Sequence, residues 1–351
     1  MKSTPYFELH KAKLDTNLKK LQALEASANI HILHTLKSFN QASVLPLMAS
    51  KLSGMSISSI SELQMAKNAK AKHIHLYAPA FKVQELEEML KSISTLSLNS
   101  LSQWKRFKSL NVSKGLRINP KLDLSIPTHC NSNLSSSRLG VDFKEFLEIF
   151  KKDEELFLEL EGLHFHALFQ SSVEDLEILL KHISHNFQEL LPKLKWLNLG
   201  GGHDFTNVDY DVNILVKLID TLSQSYPKLK IYFEPGETIT KGCGDFVTTV
   251  LDIVKIDKLN VVILDTSIET HLLDVAIVNI KLKVKGTQTE PSAYLYELTG
   301  NSCLQGDLIG KYFFSKELHI GEQIVFEDMM PYTLVKMTEF NGMEKASFYL
   351  E

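Results

Sequence analysis

The stretch "HILHTLKSF", residues 31–39, decides how the chain is read. It is rich in Ile, Leu and Phe, as a buried strand would be, and a lysine, Lys37, stands at its end. Lysine is rarely buried without a partner. The ordinary account is a buried stem with the ammonium reaching outward. The other is a Schiff-base amine, which needs partial desolvation to act as a nucleophile. Lys37 alone does not separate the two, so the choice falls to the rest of the chain.

Outward from residue 31 the same pattern recurs. "GMSISS" (54–59), "HIHLYAP" (73–79), "TLSLNS" (95–100) and "KGLRINP" (114–120) are further strand-like runs. So are "LEGLHFHAL" (160–168), "WLNLGGG" (196–202) and "LKIYFEPGE" (229–237). Amphipathic, helix-like segments separate them; the longest covers 172–194, where Pro192 predicts an early end. A doubly wound open sheet is one solution. Eight βα units over roughly 220 residues is the count of a (β/α)8 TIM barrel. Lys37, Asn99, Asn119, His166, Gly200, Gly201, Gly202 and Glu234 all fall at or just past strand ends. In a barrel those ends form one catalytic rim, where scattered residues converge.

Beyond about residue 240 the texture changes to short runs of period-two character. These are "DFVTTVLDIVKI", "NVVILDT", "VNIKLKVKG", "AYLYELTG", "KYFFS", "EQIVFEDM" and "ASFYLE". The expectation is an α/β barrel over residues 12–240 and a C-terminal all-β domain of sandwich or barrel type over 241–351, joined by a strand within residues 1–11.

Composition narrows the function. Hydrophobic residues make up 44% of the 351, and the net charge is −4. That gives no electrostatic case for nucleic acid or an anionic membrane, and it tolerates a cationic substrate. The start, "MKSTPYFELHKAKLD", has no signal-peptide core, and no run of about 18 apolar residues marks a membrane span. Three widely spaced cysteines form no CxxC pair, so a reduced, cytoplasmic protein is expected.

Several motifs carry chemistry. Three glycines in "NLGGGHDF" (198–205) are either a tight turn or a cradle for an anion such as phosphate. Glu234 in "FEPGE" is either a solvated strand end or a carboxylate fixed by the Pro-Gly turn to protonate a pyridine nitrogen. His164 and His166 lie two apart on one strand; without a third ligand, a ring stacked on a flat cofactor or a satisfied core histidine is favoured over metal. Cys303, in "TGNSCLQGDLIG" (299–310), sits among turn formers, which favours an exposed thiol. Asp265 ends "VILD", and Tyr332 in "MPYTLV" offers a hydroxyl to a phosphate or merely packs.

Together "LKSF", "GLHFHAL", "NLGGGH", "FEPGE", "LDTSIETHLLDV", "SCLQGD" and "FEDMMPYTLVK…FNG" resemble the fold type III pyridoxal-phosphate decarboxylases. That family includes ornithine and diaminopimelate decarboxylases, and the likeness runs in order from about residue 5 to 342. The resemblance implies pyridoxal 5'-phosphate as cofactor, with Lys37 as the lysine that holds it. It implies His166 on the ring face, Glu234 at the ring nitrogen, and Gly200–Gly202 with Gly236 and Tyr332 around the phosphate. Cys303 matches a proton donor supplied by the partner subunit, and Asp265 an acid facing the substrate's distal amine. A head-to-tail homodimer with shared sites follows, with Asp307 pairing across it to a base expected at Arg138. Racemases of this fold place arginine against the ring nitrogen; a glutamate favours decarboxylation.

Two departures bear on the substrate. After "EPG" stands Glu237, where ornithine decarboxylase has a phosphate-binding arginine, so its carboxylate is expected to turn away. After the cysteine stands Leu304, where ornithine and diaminopimelate enzymes carry an acid. An apolar residue suits a long methylene chain better than ornithine's terminal ammonium, since unpaired buried charge is costly. The carboxypolyamine branch of the family is therefore ranked first. The alternatives are an ornithine, arginine or diaminopimelate decarboxylase, a catalytically silent homologue acting as a binding protein, and a barrel-only pyridoxal-phosphate binder.

Overall fold

The structure, a computed structural model, describes residues 2–257, 259–278 and 280–351. Its Cα packing forms two compact units, Asn17–Ile239 and Met1–Thr16 with Thr240–Glu351. The first strand, β1 (Tyr6–Leu9), belongs to the second unit and leads into α1 (Lys11–Ala28).

The larger unit alternates β2 (His31–Thr35), α2 (Leu45–Lys51), β3 (Gly54–Ile57), α3 (Ile60–Asn68), β4 (Ile74–Tyr77), α4 (Val83–Met89), β5 (Thr95–Leu98) and α5 (Leu101–Phe107). It continues with β6 (Ser113–Asn119), β7 (Val141–Asp142), α6 (Phe143–Lys152), β8 (Gly162–Phe165), α7 (Val173–Asn186), β9 (Trp196–Asn198), α8 (Val212–Ser225) and β10 (Lys230–Phe233). The strands pair in parallel in the order β5-β4-β3-β2-β10-β9-β8-β6, and β6 returns to β5, so the sheet closes. This is the expected eight-stranded barrel, with β7 as a two-residue rung outside β6. Closure leaves no barrel edge unpaired. Ser59 and Ser100 cap α3 and α5 by accepting the amides of Glu62 and Gln103, which holds the loops after β3 and β5 tight.

Two details differ from the sequence reading. An 18-residue helix, α1, precedes the first barrel strand and buries Leu14, Leu18, Leu21 and Leu24 at helical spacing. The other concerns "VNIKLKVKG", where a strand was expected. Among its described residues the ladder contact is the Val284–Phe326 bridge, with Lys285 N donating to Val325 O and Glu327 N to Lys283 O. Asn279 of that run lies outside the described residues. The long α7 ends at Asn186, ahead of Pro192, which lies in a 3-10 turn.

The second unit is mostly sheet. After α9 (Glu237–Thr240), the thirteen-residue β11 (Gly244–Ile256) is its spine. Its first half pairs with β1, and from Val250 onward it pairs with β12 (Leu259–Leu264), with an irregularity between Val250 and Asp252. Two short helices follow, α10 (Ile268–His271) and α11 (Leu273–Val278), then β13 (Thr287–Gln288), β14 (Tyr294–Thr299), β15 (Leu308–Phe314), β16 (Gln323–Phe326) and β17 (Ser347–Leu350). The loop joining β14 to β15 carries Cys303, and Asp265 directly follows β12. Among the described residues no helix is long and apolar enough to cross a membrane.

Candidate active site

Lys37 follows β2 by two residues. Solvent reaches its side chain, yet protein atoms crowd it closely, and desolvation pulls the ammonium below its ordinary value. The carboxylate of Glu234 opposes that pull, and the guanidinium of Arg117 adds to it. A desolvated lysine amine is the form that attacks carbonyl carbon.

Glu234 directly follows β10, the strand paired with β2, and is only 7% exposed. Asn198 Nδ2 donates to its Oε1 at 2.8 Å, while Asn198 Oδ1 accepts Gly200 N at 2.8 Å. One side chain on β9 therefore aligns both the carboxylate and the glycine turn. The backbone is pinned as well: Glu234 N donates to Gly200 O at 2.7 Å, and Thr35 Oγ1 donates to Glu234 O at 3.2 Å.

Gly201 N donates to His166 Nδ1 at 2.7 Å, which leaves the proton of the neutral ring on Nε2. Burial, then the charges of Lys37 and Arg117, hold that imidazole well below its ordinary range. The turn tolerates no side chain. Gly200 and Gly202 have φ of +67° and +90°, and a Cβ on Gly202 would lie 2.0 Å from Leu168 O. A Cβ on Gly201 would lie 2.4 Å from Glu234 O. Gly236 is buried, its carbonyl accepting from Ser38 Oγ at 3.1 Å. The Glu237 carboxylate accepts Gln170 Nε2 at 3.1 and 3.0 Å. Asn99 and Asn119 tie down the loop after β6: Asn99 Nδ2 donates to Arg138 O at 3.0 Å, and Asn119 Nδ2 to Leu134 O at 3.1 Å. Arg138 itself is exposed.

In the second unit Cys303 and Leu304 are exposed, Leu304 at 46%. Asp307 is buried; its Oδ1 accepts Ile268 N at 2.8 Å and its Oδ2 accepts Ser302 N at 3.0 Å. Asp265 accepts Thr249 N at 2.8 Å and the hydroxyl of Thr4. Tyr332 adopts φ of +63°, a left-handed conformation that is uncommon for a bulky residue and clusters at functional sites. Its neighbour Thr333 donates to buried Asp274 at 2.9 Å.

Sequence reasoning did not single out Asn198, Arg117, His75 or Ser97. Their signal is the period-two spacing of polar residues, as in 73, 75 and 77 or 95, 97 and 99, inside strands otherwise apolar. Arg117 stacks over Tyr77, its guanidinium carbon 4.8 Å from the ring centroid, and donates weakly to His166 O at 3.4 Å. Among the described residues no group of three or more His, Cys, Asp or Glu is placed to hold a metal ion.

The barrel residues fit pyridoxal phosphate. There is an amine for its aldehyde, an imidazole for its ring face, a carboxylate for its ring nitrogen and a side-chain-free turn for its phosphate. A closed barrel of this kind followed by a mostly-β unit is the architecture of a fold type III pyridoxal-phosphate enzyme. The chain belongs to the pyridoxal-dependent decarboxylase family, whose pyridoxal binding domain matches residues 12–241. It is 35% identical to a carboxynorspermidine/carboxyspermidine decarboxylase from Campylobacter jejuni, over 99% of this chain and 92% of that protein. A carboxyaminopropylagmatine decarboxylase from Synechocystis is 34% identical, over 97% of this chain and 88% of that protein. Among solved structures, carboxynorspermidine decarboxylase from Campylobacter jejuni, complexed with norspermidine, superimposes with a TM-score of 0.90 at 34% identity, covering 99% and 94% of the two chains.

Proposed function

We propose that this enzyme removes CO2 from carboxynorspermidine and carboxyspermidine, yielding norspermidine and spermidine for polyamine biosynthesis in the cytoplasm. The observation that carries the reading is similarity along both units, at 35% identity over 99% of the chain, to a decarboxylase of those substrates. Leu304 beside Cys303 supports it, because an exposed apolar side chain accommodates methylenes and leaves a short substrate's terminal ammonium without a partner.

Bound pyridoxal phosphate supplies the electron sink for the pair left at Cα when CO2 departs. Lys37, whose amine is desolvated, would hold the cofactor through its aldehyde and would take that place again when product leaves. Glu234, aligned by Asn198, keeps the proton at the ring nitrogen. His166, oriented by Gly201 N, covers the ring face, and the glycine turn with Gly236 and Tyr332 receives the phosphate. Cys303 from a second subunit returns a proton to Cα; a thiol is acidic enough to do so near neutrality. Asp265 receives the substrate's distal ammonium.

The functional unit in this reading is a homodimer with two shared sites, in which Arg138 pairs with the partner's copy of Asp307. Because Asp307 also holds two amides of its own chain, Arg138→Asp is the cleaner perturbation. Sedimentation of that variant should show monomers with native circular dichroism; an intact dimer refutes the pairing. The substrate is tested by incubating purified protein and pyridoxal phosphate with each carboxypolyamine and weighing the products. A loss of one CO2 to give norspermidine or spermidine is expected. No mass loss from either compound refutes the assignment.

A further inference from the structure

The interior of a TIM barrel is ordinarily filled by layers of branched apolar side chains. This barrel instead contains a line of polar ones, hydrogen-bonded from His73 to His164. His73 Nε2 lies 3.0 Å from Thr95 Oγ1, which lies 2.7 Å from His75 Nδ1. His75 Nε2 lies 3.0 Å from Ser97 Oγ, which lies 3.1 Å from His164 Nδ1. His164 Nε2, buried and without a hydrogen-bond partner, points at Glu234 Oε2 from 3.7 Å. The period-two geometry of β4 and β5 builds this line, because His75 and Thr95 are in register on adjacent strands. Its far end opens on a depression lined by His31, Lys72, His73, Lys230 and Tyr232, at the N-terminal mouth of the barrel.

We propose that His73, Thr95, His75, Ser97 and His164 form a proton-conducting file that connects the Glu234 carboxylate to solvent at the opposite end of the barrel.

Hydrogen-bond bookkeeping fixes its direction. Each hydroxyl has one proton and sits between two ring nitrogens, so where it donates to one of them the other must donate to it. A neutral imidazole carries one N–H, so the direction chosen at Thr95 passes unchanged through His75 and Ser97 to His164. Burial keeps the rings neutral, lowering His73 to about 4 and lowering His75 and His164 also. With Glu234 as a carboxylate, His164 must turn an N–H toward it, and every ring carries its proton on Nε2. With Glu234 as an acid, every ring carries its proton on Nδ1.

Protonating Glu234 and reversing the file are therefore one event. A proton enters at His73 Nδ1, and the Nε2 proton of His73 passes to Thr95, whose hydroxyl proton passes to His75. The shift repeats through Ser97 and His164, whose Nε2 proton arrives on Glu234. One proton is taken from solvent, one is delivered, and no charge is left on the way. Lys37, Arg117 and Tyr77 also face Glu234 electrostatically, and His31 and Lys230 face His73. The existence of the file is independent of the reaction; its use rests on Glu234 serving the cofactor's ring nitrogen. In that role, the ring nitrogen's proton is held and renewed from the face that bound substrate does not cover. His73, Thr95, His75, Ser97 and His164 are positioning residues in this account.

The test is two-bond 15N–1H correlation on histidine-labelled protein at neutral pH, with and without pyridoxal phosphate. His73, His75 and His164 should be neutral and share one tautomer, Nε2–H when Glu234 is ionised; a mixture of Nε2–H and Nδ1–H rings, or an imidazolium, overturns the proposal. Thr95→Val then deletes one hydroxyl without changing shape, at a residue that does not touch Glu234 and whose ring partner His75 also lies 3.7 Å from Glu234 Oε1. His75 should lose its single tautomer. The pH profile of the bound cofactor's absorbance should shift, and kcat should fall about tenfold at constant KM, less than the ~10²-fold of a direct acid or base. Thr95→Ser should restore all three. A Thr95→Val protein with wild-type tautomers and an unmoved absorbance profile refutes the file, whatever its activity; an inactive wild type with the expected tautomers faults only the decarboxylase reading.

Discussion

Removing the carboxylate of Asp307 should loosen the cysteine loop by an amount the structure allows to be worked out. The group is 3% exposed, and its oxygens accept Ile268 N at 2.8 Å and Ser302 N at 3.0 Å. It thereby fastens the residue before Cys303 to the start of α10, three residues beyond Asp265. A hydrogen bond to a charged group contributes about 1.5–3 kcal/mol. Ile268 N is the buried partner, so in Asp307→Ala it loses its acceptor without gaining water. At about 1.4 kcal/mol per tenfold, its local opening should become roughly 10- to 150-fold more frequent. Ser302 is only half-buried, and its amide should respond less. Hydrogen–deuterium exchange with mass spectrometry reads both peptides, and Asp307→Asn, which keeps one acceptor, should fall between. Exchange at 268 and 302 unchanged within threefold would show that the carboxylate does not hold this loop.

Other outcomes follow from the same structure. Lys37→Ala should lose the visible absorbance of bound cofactor and turnover together, read by spectrophotometry and CO2 release. Cys303→Ala should keep that absorbance but turn over slowly or release a wrong product; full activity with clean product would remove the thiol from the mechanism. Gly202→Ala puts a methyl 2.0 Å from Leu168 O at φ +90°, so cofactor affinity, followed by fluorescence, should fall at least tenfold, at about 1.4 kcal/mol per factor of ten. Fully buried His34 titrates near 4, whereas the unfolded chain takes up its proton near 6.5. The unfolded state therefore binds more protons between those values, and stability should decline by up to about 3 kcal/mol as pH falls through that window. Urea titrations of wild type and His34→Gln at pH 7 and pH 4.5 check the slope.

The barrel was legible because each apolar run ends in a polar or glycine residue, and those ends share a rim once the sheet closes. Lys37, His166 and Glu234 could be named because strand ends are where residues point out of the packed interior. The file beneath them was hidden by the same periodicity: His75 and Ser97 alternate with apolar neighbours as residues of a half-exposed strand do. Only closure turns that face inward. Asp307 reads from sequence as a loop acid, and nothing local announces that Ile268, far back along the chain, supplies its donor. The run 278–286 alternates well enough for a strand, but pairing depends on a neighbour, and β16 offers it a single bridge.

Carboxynorspermidine, carboxyspermidine, carboxyaminopropylagmatine, meso-diaminopimelate and ornithine should be offered together to the purified protein with pyridoxal phosphate, and CO2 loss from each followed by mass spectrometry. Depletion of carboxynorspermidine and carboxyspermidine ahead of the other three is the predicted result. Faster loss from any of those three would contradict it; from diaminopimelate or ornithine it would also overturn the reading of Leu304, and in every case the barrel and its cofactor chemistry stay in place.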